Sequence, residues 1–350
     1  MTSFKYAELY ACLSGRDSDS TEALINHADL IRRQTIGDEV YLRGLIEYSN
    51  YCCRDCFYCG LRRGNRDVSR YKMNQDQIVE YARQAYQAGF HSLAIQSGEI
   101  NDKNTVDNLV EIISMIKSMT GNDGTPGLGI TLSVGELSYK DYERLFAAGA
   151  HRYLLRIETS NPELFARLHP PEQSLQRRIE CLQALKAIGY QVGTGVMAGL
   201  PGQTIEDLVS DLQFFLEQDI DMLGLGPYIA HPQTPLYHQE ANREIDPLLH
   251  TLKMMALARI LMPDINMVAS TALQSLHANG LSWGLKAGAN IVMPVITPPY
   301  YREKYSIYSG KQYKPFQQIQ GEIEAAGYQV GLWKWGDSPH WHNRRKSMVR

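Results

Sequence analysis

Short apolar segments alternate with longer amphipathic ones along most of the chain. About eight apolar runs lie between residues 39 and 294, among them "SLAIQS", "GITLS" and "RYLLRIE", and each but the last is followed by apolar residues at helical spacing. Runs that are apolar almost continuously predict strands buried on both faces. The alternation predicts an α/β fold, a (β/α)8 TIM barrel, with an open doubly wound sheet as the alternative.

The two ends of the chain depart from this rhythm. The segment "TEALINHADLIRRQTIG" has helical spacing and ends at a glycine, so residues 1–37 predict an N-terminal helical extension. We expect the barrel over residues 38–312, and a C-terminal helix and tail packing on it over residues 313–350. The tail "GLWKWGDSPHWHNRRKSMVR" holds three Trp and two His, which suit a lid or a packing arm better than a metal site.

Composition narrows the class of protein. Apolar residues make up 44% of the 350-residue chain, enough for a large core, and the formal net charge is −3. The missing basic excess argues against a nucleic-acid binder, and no apolar run reaches the roughly 18 residues of a membrane span. The N-terminus lacks the basic start and apolar block of a secretory signal. We therefore expect a cytoplasmic protein with reduced thiols.

Four of the six cysteines lie in "NYCCRDCFYCGLRR", residues 50–63, directly after the first barrel strand. In a barrel this loop lies at the carboxyl ends of the strands, where active sites form. Cys52, Cys56 and Cys59 have the spacing C-x3-C-x2-C, and no second pair or nearby His completes a four-ligand zinc site. Three thiolates favour a [4Fe–4S] cluster with one open iron, with zinc or a chance cluster as alternatives.

The other three cysteines have less to do with such a site. Cys53 adjoins a predicted ligand and should point away from the same metal, although it could instead take the place of Cys52. Cys12 and Cys181 are isolated in helical segments and suit buried apolar positions.

The cysteine loop resembles that of the radical S-adenosylmethionine (SAM) superfamily, whose signature is C-x3-C-x-aromatic-C. Tyr58 stands at the aromatic position, and "QSGE" and "GVMAGLPGQT" resemble the superfamily's glycine-containing loops. Within it, "EYSNYCCRDCFYCGLRRGNRDVSRYKM", "RYLLRIETSNPELFARLHP" and "GANIVMP" are similar to HydE-type maturases of [FeFe]-hydrogenase. This resemblance runs from about residue 20 to 310, and biotin synthase and methylornithine synthase are further relatives.

The resemblance implies two cofactors, a [4Fe–4S] cluster and SAM. The cluster's open iron would chelate SAM, and an electron would cleave SAM to methionine and a 5′-deoxyadenosyl radical, with no catalytic residue beyond cluster and SAM. Arg178 would pair with the SAM carboxylate. The SAM pocket would be formed by Tyr58, Ser97, Gly98, Glu99, Glu158 and Arg178. The substrate cavity would be lined by Thr131, Ser133, Arg156, Met197, Met222, Ser270, Thr271 and Tyr301.

Two departures from the superfamily's usual residues bear on which of its members the chain resembles. Ile157 replaces a His that many members carry, and strand alternation predicts that it faces away from the cavity. After Cys59 the chain has only Cys181, so it lacks the cysteines of the second cluster with which biotin synthase donates sulfur.

Three functions remain open. A HydE-like enzyme would act on a cysteine-derived synthon, free or iron-bound, in assembly of the hydrogenase diiron cofactor, with HydG- and HydF-type partners and a reductant protein. A radical SAM mutase like methylornithine synthase would act on a free amino acid. A non-catalytic iron–sulfur or zinc scaffold is the third, but it would have no need of Glu158 and Arg178.

Overall fold

The computed structural model describes residues 5–100, 102–121, 125–239, 242 and 244–348, so the ends of both predicted extensions lie outside it. Its strands are β1 (Glu39–Leu42), β2 (Gly44–Ser49), β3 (Ser92–Ser97), β4 (Gly129–Ser133), β5 (Ala150–Leu154), β6 (Gln191–Thr194), β7 (Met197–Ala198), β8 (Met222–Leu223), β9 (Gly226–Pro227), β10 (Asn266–Met267), β11 (Ile291–Val292) and β12 (Gln329–Gly331).

Its helices are α1 (Tyr6–Ser14), α2 (Ser18–Thr35), α3 (Gln75–Gln87), α4 (Lys103–Thr120), α5 (Tyr139–Ala147), α6 (Pro162–Leu168), α7 (Leu175–Ile188), α8 (Ile205–Glu217), α9 (Pro247–Leu261), α10 (Thr271–Leu276), α11 (Gly280–Lys286), α12 (Pro299–Arg302), α13 (Phe316–Ala325) and α14 (Pro339–Met348). A short 3-10 turn spans Pro235–His238. Over the described residues, no helix combines the length and apolarity needed to span a membrane.

The barrel is a parallel sheet closed by its last strand. In the sheet, β2, β3, β4, β5, β6, β8 and β10 are neighbours in this order. The segment around β11 bonds to both edges: Leu45 N donates to Pro294 O at 2.8 Å, and Ala269 N donates to Ile291 O at 2.9 Å. Helices cover the outside, with α1 against α8 and α9 and α2 against α9. The predicted TIM barrel is confirmed, and the open sheet was wrong.

The first predicted strand, residues 39–50, is in fact two strands. β1 pairs with β11 and β12, while β2 pairs with β3 in the main sheet. Between them Arg43 is buried, with Nη1 3.2 Å from the Met222 sulfur and Nη2 donating to Gly336 O at 3.2 Å. One continuous apolar run cannot show that its halves join different sheets, because both halves have the same pattern.

Polar residues at two strand–helix junctions start the following helices. Ser138 Oγ accepts from Asp141 N, and Thr204 Oγ1 accepts from Asp207 N, as helix N-caps do. The polar residues at these two strand ends therefore serve the fold.

Residues 335–337 lie against the amino-terminal end of the barrel. Trp335 stacks on His151 with ring centroids 4.5 Å apart and donates its Nε1–H to Gly127 O at 2.7 Å. Next to it, Asp337 Oδ1 lies 2.7 Å from Nη1 of Arg152, whose side chain is completely buried. Burial alone would raise the pKa of Asp337, but Arg152 outweighs it and the pKa falls below its ordinary value. The tail thus supplies the counter-ion of a buried arginine.

Replacing Asp337 with Asn should lower the free energy of unfolding by about 3–5 kcal/mol, because the Arg152 guanidinium is left buried without a counter-ion. Denaturant unfolding measures the change. Lys334→Gln is the matched control on the same segment: its ion pair with Glu39 is exposed and should contribute under about 1 kcal/mol. Equal losses in the two variants would contradict the role given to Asp337.

Candidate active site

The cysteine loop lies at the carboxyl ends of the barrel strands and packs tightly on the loop after β3. Cys53 N donates to Glu99 O at 2.8 Å, and Glu99 N donates to the Cys52 sulfur at 3.3 Å. A Cβ added at Gly98 would stand 2.3 Å from Tyr51 O and 2.7 Å from Cys52 Cβ. Only a glycine therefore allows the "QSGE" loop to approach the cysteines this closely.

Three of the four clustered cysteines share one cavity. Cys52, Cys56 and Cys59 line a space of about 330 Å³, together with Tyr58, and Cys53 lies outside its wall. Burial raises the pKa of the Cys56 thiol to about 11 and also raises the pKa of Cys59. Thiols buried in this way become thiolates only when a positive partner such as iron joins them.

The surroundings of the thiols offer hydrogen bonds to sulfur. Besides the Glu99 N–H on Cys52, the Gln173 side-chain amide nitrogen lies 3.6 Å from the Cys56 sulfur. Among the described residues, no three His, Cys, Asp or Glu side chains form a ready site for a single metal ion. The available metal ligands are three soft sulfur atoms, and N–H groups are directed at two of them. This combination suits an iron–sulfur cluster.

The segment after β5 presents two charged side chains to the same cavity. Arg156 Nη2 lies 3.0 Å from Glu158 Oε2, and both residues line the wall. Glu158 has φ +66°, a strained conformation for a non-glycine residue. The conformation is held by backbone bonds, since Glu158 N donates to Gly195 O at 3.1 Å and Met197 N donates to Glu158 O at 3.2 Å. Ile157, between the charged pair, is completely buried in the core.

Arg178 lies between two carboxylates at the mouth of the barrel. Its Nη2 is 2.9 Å from Glu99 Oε2 and its Nε is 2.9 Å from Glu136 Oε1. Arg54 contacts the same two glutamates, 2.7 Å from Glu136 Oε2. Burial would lower the pKa of Arg178, but Glu99 and Glu136 outweigh it and raise the pKa. The guanidinium expected to bind a SAM carboxylate is thus already engaged by this four-residue cluster.

The sequence analysis did not identify Glu136 and Arg54 as site residues, although the sequence holds a signal for Glu136. "GE" follows two neighbouring strands, at residues 98–99 and 135–136, so both carboxylates had to meet at one edge of the sheet. Gly135 has φ +93°, and a Cβ there would lie 1.9 Å from Glu99 Cγ. The glycine makes room for the glutamate of the adjacent loop.

The predicted SAM and substrate residues divide between cavity and core. The cavity wall includes Tyr58, Ser97, Gly98, Glu99, Glu158 and Arg178, and the predicted substrate residues Ser133, Arg156, Met197, Ser270 and Thr271. Arg156 Nε and Ser270 Oγ are buried without a hydrogen-bond partner among the described residues. The wall therefore has unused polar groups for a ligand.

Three predicted substrate residues lie elsewhere. Thr131 is one layer deeper than Ser133 on β4, and its Oγ1 accepts from Arg152 Nε at 3.0 Å. Met222 is deep in the barrel beside Arg43. Tyr301 is on α12, where its hydroxyl accepts from Gln77 Nε2 at 2.9 Å. Side-chain alternation identifies the face of a strand but not the depth along it, so the sequence could not show that the first two lie below this cavity.

Other cavity residues were not predicted. These are Glu47, Gln96, Tyr228, Tyr305, Tyr308 and Lys311, among others. Glu47 had a sequence signal, because it is a lone charge within the apolar strand "GLIEYS".

Comparisons with known proteins agree with this geometry. Residues 46–215 match the Radical SAM superfamily. The chain is 47% identical over 303 residues to the [FeFe] hydrogenase maturase subunit HydE of Thermotoga maritima, covering 87% of this chain and 83% of that protein. It is 28% identical over 290 residues to 3-methylornithine synthase of Methanosarcina acetivorans, covering 83% and 79%. A crystal structure of methylornithine synthase (PylB) superimposes with TM-score 0.81 at 25% identity and 94% coverage of each chain.

Replacing Gly135 with Ala should destabilise the protein by about 2 kcal/mol or more, because the new methyl group meets Glu99 in a strained backbone conformation. Gly321→Ala is the control, since Gly321 lies in helix α13 with nothing within 4 Å of an added Cβ. It should be neutral or stabilising by up to about 1 kcal/mol. Unfolding free energies that are equal for the two variants would contradict the tight approach of the loops.

Proposed function

The chain belongs to the radical SAM superfamily and, within it, to the HydE-type group, and on that premise we propose that it acts in assembly of the diiron cofactor of [FeFe]-hydrogenase. The proposed substrate is a cysteine-derived synthon, free or iron-bound, produced by a HydG-type partner. The observation that carries the proposal is that three thiols, Glu158 and Arg156 line one cavity at the carboxyl ends of the barrel.

The residues present fit the cofactors of the superfamily, a [4Fe–4S] cluster and SAM. Cys52, Cys56 and Cys59 would hold three irons, which leaves the fourth open toward the cavity. When bound, the two cofactors supply reductive cleavage of SAM to methionine and a 5′-deoxyadenosyl radical. The protein itself must hold the cofactors, orient the substrate and shield the radical from water.

Tyr58 and His169 fix the cavity wall next to the cysteines. His169 Nδ1 lies 2.9 Å from Phe165 O, which can only accept, so this nitrogen carries the proton. The other nitrogen then accepts from the Tyr58 hydroxyl at 3.2 Å. Burial lowers the pKa of His169 to about 4, so the ring stays neutral at physiological pH. Tyr58 is thereby held in one orientation beside the cluster loop.

Glu158 and the cover of the cavity would orient SAM and keep water out. Backbone bonds to Gly195 and Met197 hold the main chain of Glu158, and its carboxylate, which pairs with Arg156, can accept from ammonium or hydroxyl groups of SAM. The segment holding Tyr305 and Ile307 lies over the cavity, and Gly60 N donates to Ile307 O at 3.0 Å. Exclusion of water protects a reactive radical from side reactions.

A mutase acting on a free amino acid is the second candidate, favoured by the superposition on methylornithine synthase. Both candidates use Arg156 to bind a carboxylate, and they differ in substrate.

Adding the purified protein to a cell-free maturation mixture lacking its HydE component should restore hydrogenase activity, in the presence of HydG- and HydF-type partners and a reductant protein. If hydrogenase activity is not restored and the protein rearranges a free amino acid instead, the result would favour the mutase.

Anaerobic reconstitution with iron and sulfide should give about four irons per chain, and reduced protein should convert SAM to 5′-deoxyadenosine. Cys56→Ala should abolish both results, because it removes a ligand that lines the cavity. Cys53→Ala, its neighbour outside the cavity wall, should leave iron content and SAM cleavage near those of the unmodified protein. Loss of iron in Cys53→Ala equal to that in Cys56→Ala would contradict the ligand assignment.

A further inference from the structure

One buried side chain from outside the cysteine loop is directed at a sulfur of the cluster site. Gln173 lies between α6 and α7 and is 8% exposed. Its Nε2 is 3.6 Å and its Oε1 is 3.5 Å from the Cys56 sulfur. Among the described residues, neither amide atom has another hydrogen-bond partner. The whole polar end of this side chain therefore faces one thiol.

Backbone hydrogen bonds hold Gln173 and Cys56 next to each other. Phe57, which follows Cys56, donates its N–H to Leu168 O at 2.9 Å and so binds the cysteine loop to the end of α6. Gln173 N donates to Pro170 O at 3.0 Å and closes a turn. The next residue is the N-cap of α7. The Gln173 side chain is thus presented to Cys56 from a backbone that is fixed on both sides.

The pairing of this amide with Cys56 suits a charged sulfur better than a neutral one. A thiol is a weak donor and a weak acceptor, so a buried amide with only a thiol for a partner is poorly satisfied. A thiolate can only accept, so it selects the amide N–H, and the hydrogen bond becomes charge-assisted. Cysteine binds metals as the thiolate. The contact therefore becomes favourable when Cys56 is an iron ligand.

The hydrogen-bond donors directed at Cys52 and Cys56 differ in kind. The Cys52 sulfur accepts the backbone N–H of Glu99 at 3.3 Å, whereas the N–H group near the Cys56 sulfur belongs to the Gln173 side chain. A backbone donor is present whatever the residue, but a side-chain donor depends on the sequence. Hydrogen bonds to the sulfurs are among the factors that set the reduction potential of an iron–sulfur cluster. Gln173 is therefore a position at which the sequence can set that potential.

The sign of the effect follows from the charge of the cluster. Reduction adds one electron, supplied by a reductant protein, and makes the cluster and its sulfur ligands more negative. An N–H group directed at a sulfur stabilises the more negative state more strongly. Removal of this group should therefore lower the reduction potential, so that fewer clusters are reduced at a given applied potential.

We propose that Gln173 donates its side-chain N–H to the Cys56 thiolate and thereby raises the reduction potential of the cluster. The inference depends on the cofactor of the superfamily and not on the substrate, because a HydE-like maturase and a mutase both need a reduced cluster before SAM is cleaved. Gln173 thus controls how readily the cluster accepts its electron, a role separate from binding SAM or substrate.

The test is an anaerobic redox titration of the reconstituted protein without SAM, in which EPR measures the reduced cluster. Gln173→Leu and Gln173→Met remove the donor and keep a side chain of similar size. At a fixed potential, the ratio of reduced to oxidised clusters should fall about three- to tenfold, a shift of about 30–60 mV to more negative values for one electron. Gln176→Leu is the matched control, because this exposed amide on α7 contacts Glu180 and no sulfur. It should leave the potential unchanged.

A second measurement does not depend on the folding of a variant. In unmodified protein with 15N in the side-chain amides of glutamine, pulsed EPR of the reduced cluster should detect a weak coupling to an amide nitrogen. Gln173→Leu or Gln173→Met should remove this coupling. Its absence from the unmodified protein would overturn the proposal.

Iron content is measured for each variant before titration. An unchanged potential in the Leu and Met variants would overturn the proposal, whether they hold about four irons per chain or fewer, because a merely structural role for Gln173 affects cluster content and not the potential of the clusters that remain. The cell-free maturation test is independent of this result. If maturation is not restored and the potential still falls in the variants, the proposed function fails and the role of Gln173 is supported.

Discussion

Each charge buried inside this barrel needs a polar partner or an opposite charge, because the parallel sheet is covered on both faces and excludes water. At the amino ends of the strands, Arg152 is neutralised by Asp337. At the carboxyl ends, Arg178 lies between Glu99 and Glu136. The cavity lies toward the second end, and Arg178 and Glu99 form part of its wall.

The chemistry of the site depends on the pairing at the mouth. Glu99 is held by Arg178 through its side chain, and its backbone N–H and C=O bond to Cys52 and Cys53. The carboxylate network thus fixes the loop on which the thiols stand. The Arg178 guanidinium already binds carboxylates of this network. A SAM carboxylate would therefore have to share the guanidinium with Glu99 or displace Glu99.

The sequence was sufficient to predict the fold and the cysteines at the centre of the site. It was insufficient to predict how deep a strand residue lies in the barrel, or which residues distant in sequence contact each other. The cysteine spacing and the strand–helix alternation are local patterns, and they predicted the barrel and the three thiols that line the cavity. Ser133 and Thr131 have the same strand face, yet only Ser133 reaches the cavity. Arg43 lies between the two strands of one apolar run, and its partner, Gly336, is 293 positions away along the chain. Such separations leave no local signal.

The contact between the chain's end and the barrel has a consequence for how the protein is made. A ribosome delivers the N-terminal part first, so Arg43 and Arg152 are synthesised long before Gly336 and Asp337, which they contact in the finished molecule. Until those two residues have left the ribosome, Arg43 lacks its carbonyl acceptor and Arg152 lacks its carboxylate partner. This end of the barrel can therefore be completed only after most of the sheet has been synthesised, and a polypeptide that stops before Gly336 would expose this defect to proteolytic quality control.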